Sequence, residues 1–181
     1  MTFLRSVVRT VQLLFRAREH RFDLVRELSR RPGLLVATGA SEFGVMVSNC
    51  VPEQLKLLAE FRAASIVGCE FCMDIGSAIA ELTALDPRQI TELDQFETSD
   101  AFSPRERAVV RFATVLSQRT AEVSPELRAE LASYFSRAQI VELAYTIAHE
   151  NERARFYIGI DLPPSRFASD GACRVRPSVS A

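Results

Sequence analysis

The sequence predicts an all-α domain, and three observations carry that reading. Apolar residues recur at spacings of three and four through most of the chain; several segments open on a capping residue followed by Pro; and no stretch makes a convincing strand with a two-residue period. At 181 residues and 48% hydrophobic side chains, the chain suits one domain with a sizeable core. That single helical domain is assigned to residues 1–160, and no repeat of fixed period divides it.

Leu4, Val7, Val8, Val11, Leu14 and Phe15 lie on one helical stripe, with Arg5, Arg9 and Arg16 off it. Residues 1–31 hold eight arginines against Glu19, Asp23 and Glu27, so this N-terminal helical extension is basic and amphipathic. Its stripe is expected to pack on the core or on another subunit, in preference to lying on a membrane surface. A second helix is expected from about Arg21 to Arg30, stopped by Pro32-Gly33. Residues 34–50 are apolar but interrupted by Gly39, Ser41, Gly44 and Ser48, and read either as one closely packed helix or as a broken one.

Pro52 suits the first turn of the next helix, which carries Leu55, Leu58, Ala59, Arg62 and Ala63 to about Ile66. Gly68 then bends the chain into a helix on which Cys72, Ile75, Ile79 and Leu82 form an apolar line. Asp86-Pro87-Arg88-Gln89 and Ser103-Pro104-Arg105-Glu106 each pair a cap with Pro at the first position and Gln or Glu at the third. Ser124-Pro125 opens a short helix with Leu127, Leu131, Tyr134 and Phe135. The last long helix starts at Ser136, with Gln139 completing a capping box, and runs through Ile140, Leu143, Ala144 and Ile147 to about Gly159. From Asp161 the composition turns to Pro, Ser, Gly and Arg, and residues 161–181 are expected to be extended or disordered unless a neighbouring subunit orders them.

A formal net charge of −1 and a pI near 6.2 give no overall attraction to nucleic acid. Arginines interrupt the apolar positions of the first helix, so it lacks the unbroken run of a signal peptide and the roughly 20 residues of a membrane span. The expected location is the cytoplasm. Of the four cysteines, at 50, 69, 72 and 173, only one pair is close, which does not fit the disulfide framework of a small secreted domain. No metal or other cofactor is expected, because Cys50, Cys173 and His149 are scattered and a closed zinc site needs four ligands.

The close pair makes the most specific chemical claim in the chain. In Gly68-Cys69-Glu70-Phe71-Cys72, two thiols three residues apart at a helix start share one face and can close a small disulfide ring. Unpaired N–H groups and the positive end of the helix dipole favour thiolate there. On this geometry Cys69 sits at the helix mouth as the more exposed sulfur, with Cys72 one turn below at the top of the apolar line.

The stretch from Leu58 through Gly68-Cys69-Glu70-Phe71-Cys72-Met73-Asp74-Ile75-Gly76 to Ser77 resembles the core segment of the carboxymuconolactone decarboxylase family, which includes the AhpD-like alkylhydroperoxidases. Ala148-His149-Glu150-Asn151-Glu152-Arg153-Ala154-Arg155-Phe156 is similar to the C-terminal helix of one branch of that family. The likeness covers roughly residues 50–160. It implies an AhpD-like helical bundle, assembled as a homo-oligomer. It also implies peroxide and disulfide chemistry at Cys69 and Cys72, with Cys72 meeting the peroxide and a thioredoxin-like or lipoyl dithiol partner as reductant. Redox-active members also place a His four residues after the second Cys and a Glu twelve residues before the first; here those positions are Gly76 and Leu57.

A replacement base is therefore sought nearby. Asp74, two residues past Cys72, points to the far side of the helix, and Glu70 is expected in solvent. Glu60 on the preceding helix reaches the site if the two helices pack at their shared bend; otherwise it is a surface carboxylate. His149 and Glu150 are adjacent, so only one is expected to face the core, and the apolar pattern favours Glu150. A buried Glu150 paired with Arg153 or Arg155 reads first as a structural ion pair and second as a catalytic relay. Cys50 is expected to be packed. The leading expectation is a thiol-dependent hydroperoxide reductase or disulfide oxidoreductase acting through Cys69 and Cys72, with Glu60 and Glu150 as candidate bases. The alternative is a non-redox helical oligomer of the decarboxylase type that binds or transforms a small molecule.

Overall fold

A computed structural model of the chain describes residues 22–83 and 85–166. Its helices are α1 (Asp23–Ser29), α2 (Pro32–Val47), α3 (Glu53–Val67), α4 (Glu70–Glu81), α5 (Pro87–Thr91), α6 (Pro104–Ser117), α7 (Pro125–Tyr134) and α8 (Arg137–Gly159), with one 3-10 turn at Leu93–Gln95. There is no strand among the described residues. The expected helix through Phe15, residues 1–21 of the basic extension, Cys173 and the tail from residue 167 lie outside the described residues.

Helix α3 is the axis of the bundle. Leu55, Ala59 and Ala63 pack with Ala108, Val109 and Phe112 of α6, Leu127 and Leu131 of α7, and Leu143 and Ile147 of α8. On its other side Leu57, Leu58, Phe61 and Ala64 join Cys69, Cys72 and Met73, Val110 of α6, and Ala154 and Tyr157 of α8. Burial on both sides explains why α3 carries so many apolar residues; each fully covered Leu or Phe contributes about 1.5–3 kcal/mol over leaving it exposed.

The punctuation read from the sequence builds the helix starts. The Ser103 and Ser136 side chains accept from the backbone N–H of Glu106 and Gln139, whose own side chains accept in return from the cap N–H, so both are complete capping boxes. Asp86 and Ser124 accept from Arg88 N–H and Leu127 N–H, each with Pro at the following position.

The packing of α2 differs from expectation. Pro32 ends α1 but also opens α2, because its missing N–H and fixed φ suit a first helical turn. Residues 34–47 then form a continuous helix despite Gly39 and Gly44, yet no residue of α2 is buried. A Cβ added at Gly33, Gly39 or Gly44 would meet nothing within 4 Å, so these glycines do not serve close packing. Leu34, Val36, Phe43 and Val47 are left exposed. At the start of the tail, residues 162–166 form no helix; Leu162 packs on the core, Ser165 is fully covered, and its backbone N–H donates to Asp74 Oδ2 at 3.0 Å. Asp74 is thus engaged by the returning chain. No helix among the described residues is long and apolar enough to cross a membrane.

Candidate active site

The site begins where α3 ends. Gly68 has φ 83°, a left-handed conformation that glycine adopts without a Cβ penalty, and the N–H groups of Gly68 and Cys69 both reach back to Ala64 O. This tight return makes Cys69 the N-cap of α4 and tucks it under α3. Cys69 is 1% exposed and Cys72 6%. The expectation that Cys69 is the more exposed sulfur is therefore corrected: a cap that follows an αL glycine is folded inward.

The two cysteines form a disulfide, with Cα atoms 5.2 Å apart. Cys72 N–H donates to Cys69 Sγ at 3.1 Å, so the helix N-terminus addresses Cys69 sulfur directly. Among the described residues, no carboxylate or imidazole hydrogen-bonds either sulfur. The apolar line expected on α4 is shifted. Phe71, Cys72, Met73, Gly76, Ser77 and Ala80 are buried, whereas Ile75, Ile79 and Leu82 are only partly so. Gly76 sets that rotation: a Cβ there would lie 2.8 Å from Phe61 Cε2, so only glycine lets α4 approach the Phe61 ring this closely. Leu57, the other relay position, is buried in the same core. Residues 57 and 76, where the resemblance read from the sequence implies polar relay groups, are thus both apolar here.

Glu60 and Glu150 come together around Arg153. Arg153 donates through Nη1 to Glu42 Oε2 at 3.0 Å and through Nη2 to Glu60 Oε1 at 3.2 Å, and it also pairs with Glu150. Arg155 instead bonds Asn151. Burial pushes the Glu150 carboxyl up to about 7; Arg153 opposes that rise, and the Glu60 and Glu42 charges add to it.

His149 is also buried, contrary to the expectation that only Glu150 would be. The reason is α2, which covers the second side of α8 with polar side chains. His149 Nε2 donates to Glu42 Oε1 at 3.2 Å, and Nδ1 lies 3.4 Å from Ser41 Oγ, itself 3.2 Å from the Tyr145 hydroxyl. The Glu42 hydrogen bond raises the His149 pKa against the effect of burial. Burial works against the Glu42 charge, but His149 and Arg153 together hold its carboxyl below the ordinary range.

Sequence reasoning missed Glu42 and Tyr157. Glu42 lies in a helix whose pattern gave no facing direction. Tyr157 was legible as the residue one turn beyond Arg153, on the stripe shared with Ala154. Its ring packs edge-on to that of Phe71, with centroids 5.1 Å apart, so it touches the residue that lies between the two cysteines. Cys50, expected to be packed, is exposed; what the structure uses there is its backbone N–H, which donates to Glu142. Among the described residues, no three His, Cys, Asp or Glu side chains are grouped to hold a metal ion.

No protein-family model matches the chain. At 28% identity it is similar to the debrominase Bmp8, with a TM-score of 0.71 over 77% of this chain and 75% of that one; a cysteine-to-alanine variant of Bmp8 is solved in complex with 2,3,4-tribromopyrrole. It also superposes on an alkylhydroperoxidase AhpD core protein, an uncharacterised peroxidase-related protein from Ralstonia eutropha JMP134, with a TM-score of 0.68 at 19% identity over 76% of this chain and 74% of that one.

The chain has the AhpD-like fold.

A further relative is the uncharacterised protein YnjA of Escherichia coli strain K12, 32% identical over 122 residues, or 67% of this chain. The chain spans 64% of the length of that curated relative. Within the AhpD-like frame, this chain combines a Cys-x-x-Cys pair with apolar residues at 57 and 76 and a half-buried Arg–carboxylate cluster around Arg153.

Proposed function

We propose that the protein is a dithiol–disulfide oxidoreductase that reduces a small oxidant, in the first instance an alkyl hydroperoxide, at Cys69 and Cys72. The observation that carries this reading is the Cys69–Cys72 bridge at the N-terminus of α4, where Cys72 N–H points at Cys69 Sγ. That hydrogen bond stabilises a Cys69 thiolate, and so makes Cys69 the better leaving group when the disulfide is opened. Cys72, the less covered of the two residues, then meets both the oxidant and the reductant. A thioredoxin-like or lipoyl dithiol would return the pair to its reduced state, which suits a cytoplasmic setting. Glu60 and Glu150, engaged by Arg153, hold that cation beside the core and are assigned a supporting role.

The alkyl hydroperoxide reading is tested with reduced protein and cumene hydroperoxide. Two thiols should be lost per turnover, Cys72→Ser should abolish the reaction, and Cys69→Ser should stop at a sulfenic acid that dimedone traps. Unchanged peroxide consumption in both variants, or thiols that stay reduced, would return the protein to the non-redox alternative.

A second reading, reductive debromination of an aromatic ring, is favoured by the likeness to Bmp8 and by the apolar wall of Leu57 and Phe61. It balances as aryl bromide plus two thiols giving arene, disulfide and hydrogen bromide. Bromide release from a bromopyrrole by reduced protein that leaves hydroperoxides untouched would select it.

The exposed apolar residues Leu34, Val36, Phe43 and Val47 of α2 support assembly as a homo-oligomer, with a second copy covering that helix.

A further inference from the structure

Helix α2 is held to the bundle unlike the other long helices. None of its residues belongs to either hydrophobic cluster, and Leu35, Val45 and Met46, on the stripe that carries Glu42, are only partly buried. Two polar residues fasten it to α8. Ser41 Oγ lies 3.2 Å from the Tyr145 hydroxyl and 3.4 Å from His149 Nδ1, and Glu42 accepts from His149 Nε2 at 3.2 Å and from Arg153 Nη1 at 3.0 Å. The ends of α2 are tied down separately: Leu28 of α1 is buried before it, and after it Lys56 Nζ donates to Ser48 O at 2.6 Å and Val51 is buried. The middle of α2 can therefore lift from α8 with both ends in place, breaking polar contacts while exposing little apolar area.

The groups around Glu42 make that step depend on protons. From α8 come His149 and Arg153, which touch it, with Glu150, Glu152 and Tyr157 beside them; from α3 comes Glu60, also on Arg153. The charges of α1 pair among themselves, Arg26 with Asp23 and Glu27, and Arg30 with Glu27. With His149 and Glu150 protonated, Glu42 faces two cations, and Arg153 balances only Glu42 and Glu60. With both deprotonated, Glu42, Glu60 and Glu150 share the single Arg153 charge while the His149 ring is neutral. Of these three carboxylates, Glu42 alone stands on a helix with no place in the core, so lifting α2 is the route that relieves the excess negative charge.

We propose that α2 is a proton-controlled strap: it docks on α8 through Glu42 while His149 and Glu150 hold their protons, and its middle lifts when both lose them. The direction of the linkage follows from what Glu42 does to each group. Its hydrogen bond raises His149 above the ordinary 6.5 against the effect of burial. Burial pushes the Glu150 carboxyl up to about 7, Arg153 opposes that rise, and the Glu60 and Glu42 charges add to it. Lifting α2 takes the Glu42 charge away from both groups, so each falls back toward its ordinary value. The docked form therefore holds each proton more tightly than the lifted form, and docking is favoured in acid and lost as pH rises through the docked values. Burial works against the Glu42 charge, but His149 and Arg153 hold its carboxyl below the ordinary range, so Glu42 stays ionised throughout that window.

The test is amide hydrogen exchange of the full-length chain at about pH 5.5 and pH 9, with the intrinsic pH dependence of exchange divided out, for wild type, Glu42→Gln and Glu150→Gln. In wild type, protection of residues 35–46 should fall about ten-fold or more between the two values, the factor that one pKa unit of linkage supplies. Glu42→Gln removes the charge that senses both protons without touching the core, so its α2 should be as poorly protected at pH 5.5 as at pH 9, within about two-fold. Glu150→Gln removes the competing carboxylate for good, and its α2 should be better protected than wild type at pH 9, a gain that general loosening of the fold does not produce. An α2 whose protection is the same at both pH values, or falls as far in Glu42→Gln as in wild type, or shows no gain in Glu150→Gln, overturns the proposal.

Discussion

The Phe61 ring occupies the space that any side chain at residue 76 would need: a Cβ on Gly76 would sit 2.8 Å from Cε2 and 3.2 Å from Cδ2 of Phe61. A relay histidine therefore cannot be restored at this position by substitution alone. Gly76→Ala should lower stability by about 1 kcal/mol in chemical denaturation, since the overlap with a buried ring outweighs the roughly 1 kcal/mol that alanine gains over glycine in a helix. Phe61→Leu opens the space, so the double variant Gly76→Ala/Phe61→Leu should be more stable than the sum of the single effects predicts, by about 1 kcal/mol. Additive effects would show that the ring moves aside freely.

That pair also marks the boundary of what the sequence discloses. The capping residues Ser103 and Ser136, the Pro-led starts and the αL glycine before Cys69 are local signals, and local signals suffice to place helices α3 to α8. The direction in which a buried face points is set by neighbours distant in sequence. The rotation of α4 depends on Phe61 meeting Gly76, and the burial of His149 depends on Glu42 and Ser41, more than 100 residues away. The Cys-x-x-Cys pair was legible because its chemistry lies within one turn. The Arg153 cluster was half legible, since Glu150 and Arg153 share a helix whereas Glu42 and Glu60 come from two others.

Arg153 shares its charge among Glu42, Glu60 and Glu150, and this gives a dependence of stability on pH. Glu150 is raised by burial from 4.5 to about 7, so the folded state holds its proton more tightly than the unfolded chain. Its contribution is complete below pH 4.5 and is lost as pH rises toward 7, up to about 3 kcal/mol. Glu150→Gln should flatten the stability profile in that window. His149, raised by its Glu42 hydrogen bond, contributes stability that is present below pH 6.5 and lost as pH rises through its folded value, so His149→Gln should flatten the profile above 6.5 instead. Denaturant midpoints measured every half unit from pH 4.5 to 8.5 separate the two; a Glu150→Gln profile parallel to wild type would remove Glu150 as the source.

On the homo-oligomer proposal, Val36 and Phe43 of α2 lose most of their exposure, now 72% and 54%, when a second copy covers the helix. Val36→Asp with Phe43→Asp would place two charges in that contact and should shift the protein to monomer in sedimentation velocity. The helical circular dichroism signal should be kept, because neither side chain is buried in its own chain. A wild-type protein that sediments as a monomer at micromolar concentration would sink the proposal.

Lys56 and Glu142 test how a buried ion pair ties α3 to α8. Lys56 Nζ lies 3.1 Å from Glu142 Oε1 and donates to Ser48 O at 2.6 Å, while Cys50 N–H donates to Glu142 Oε2 at 2.7 Å. Both side chains are largely covered, and Lys56 is the only lysine of the chain. Burial works against the Glu142 charge, but the Lys56 hydrogen bond and charge outweigh it and lower its pKa below 4.5. In wild type, Glu142 therefore contributes stability that is present above pH 4.5 and lost as pH falls through its lowered value. Lys56→Met removes the compensation but not the burial and should cost about 3–5 kcal/mol at pH 7. The sign of the pH effect should also reverse: without Lys56, burial raises the folded Glu142 pKa, so the variant recovers stability as pH falls toward 4.5. Lys56→Met with Glu142→Leu, which leaves no uncompensated charge, should recover most of the loss at pH 7. If the single variant is as stable as wild type at pH 7, the ion pair does not tie the two helices, and the loop from Ser48 to Val51 is held by Gln139, whose Nε2 donates to Cys50 O at 2.9 Å.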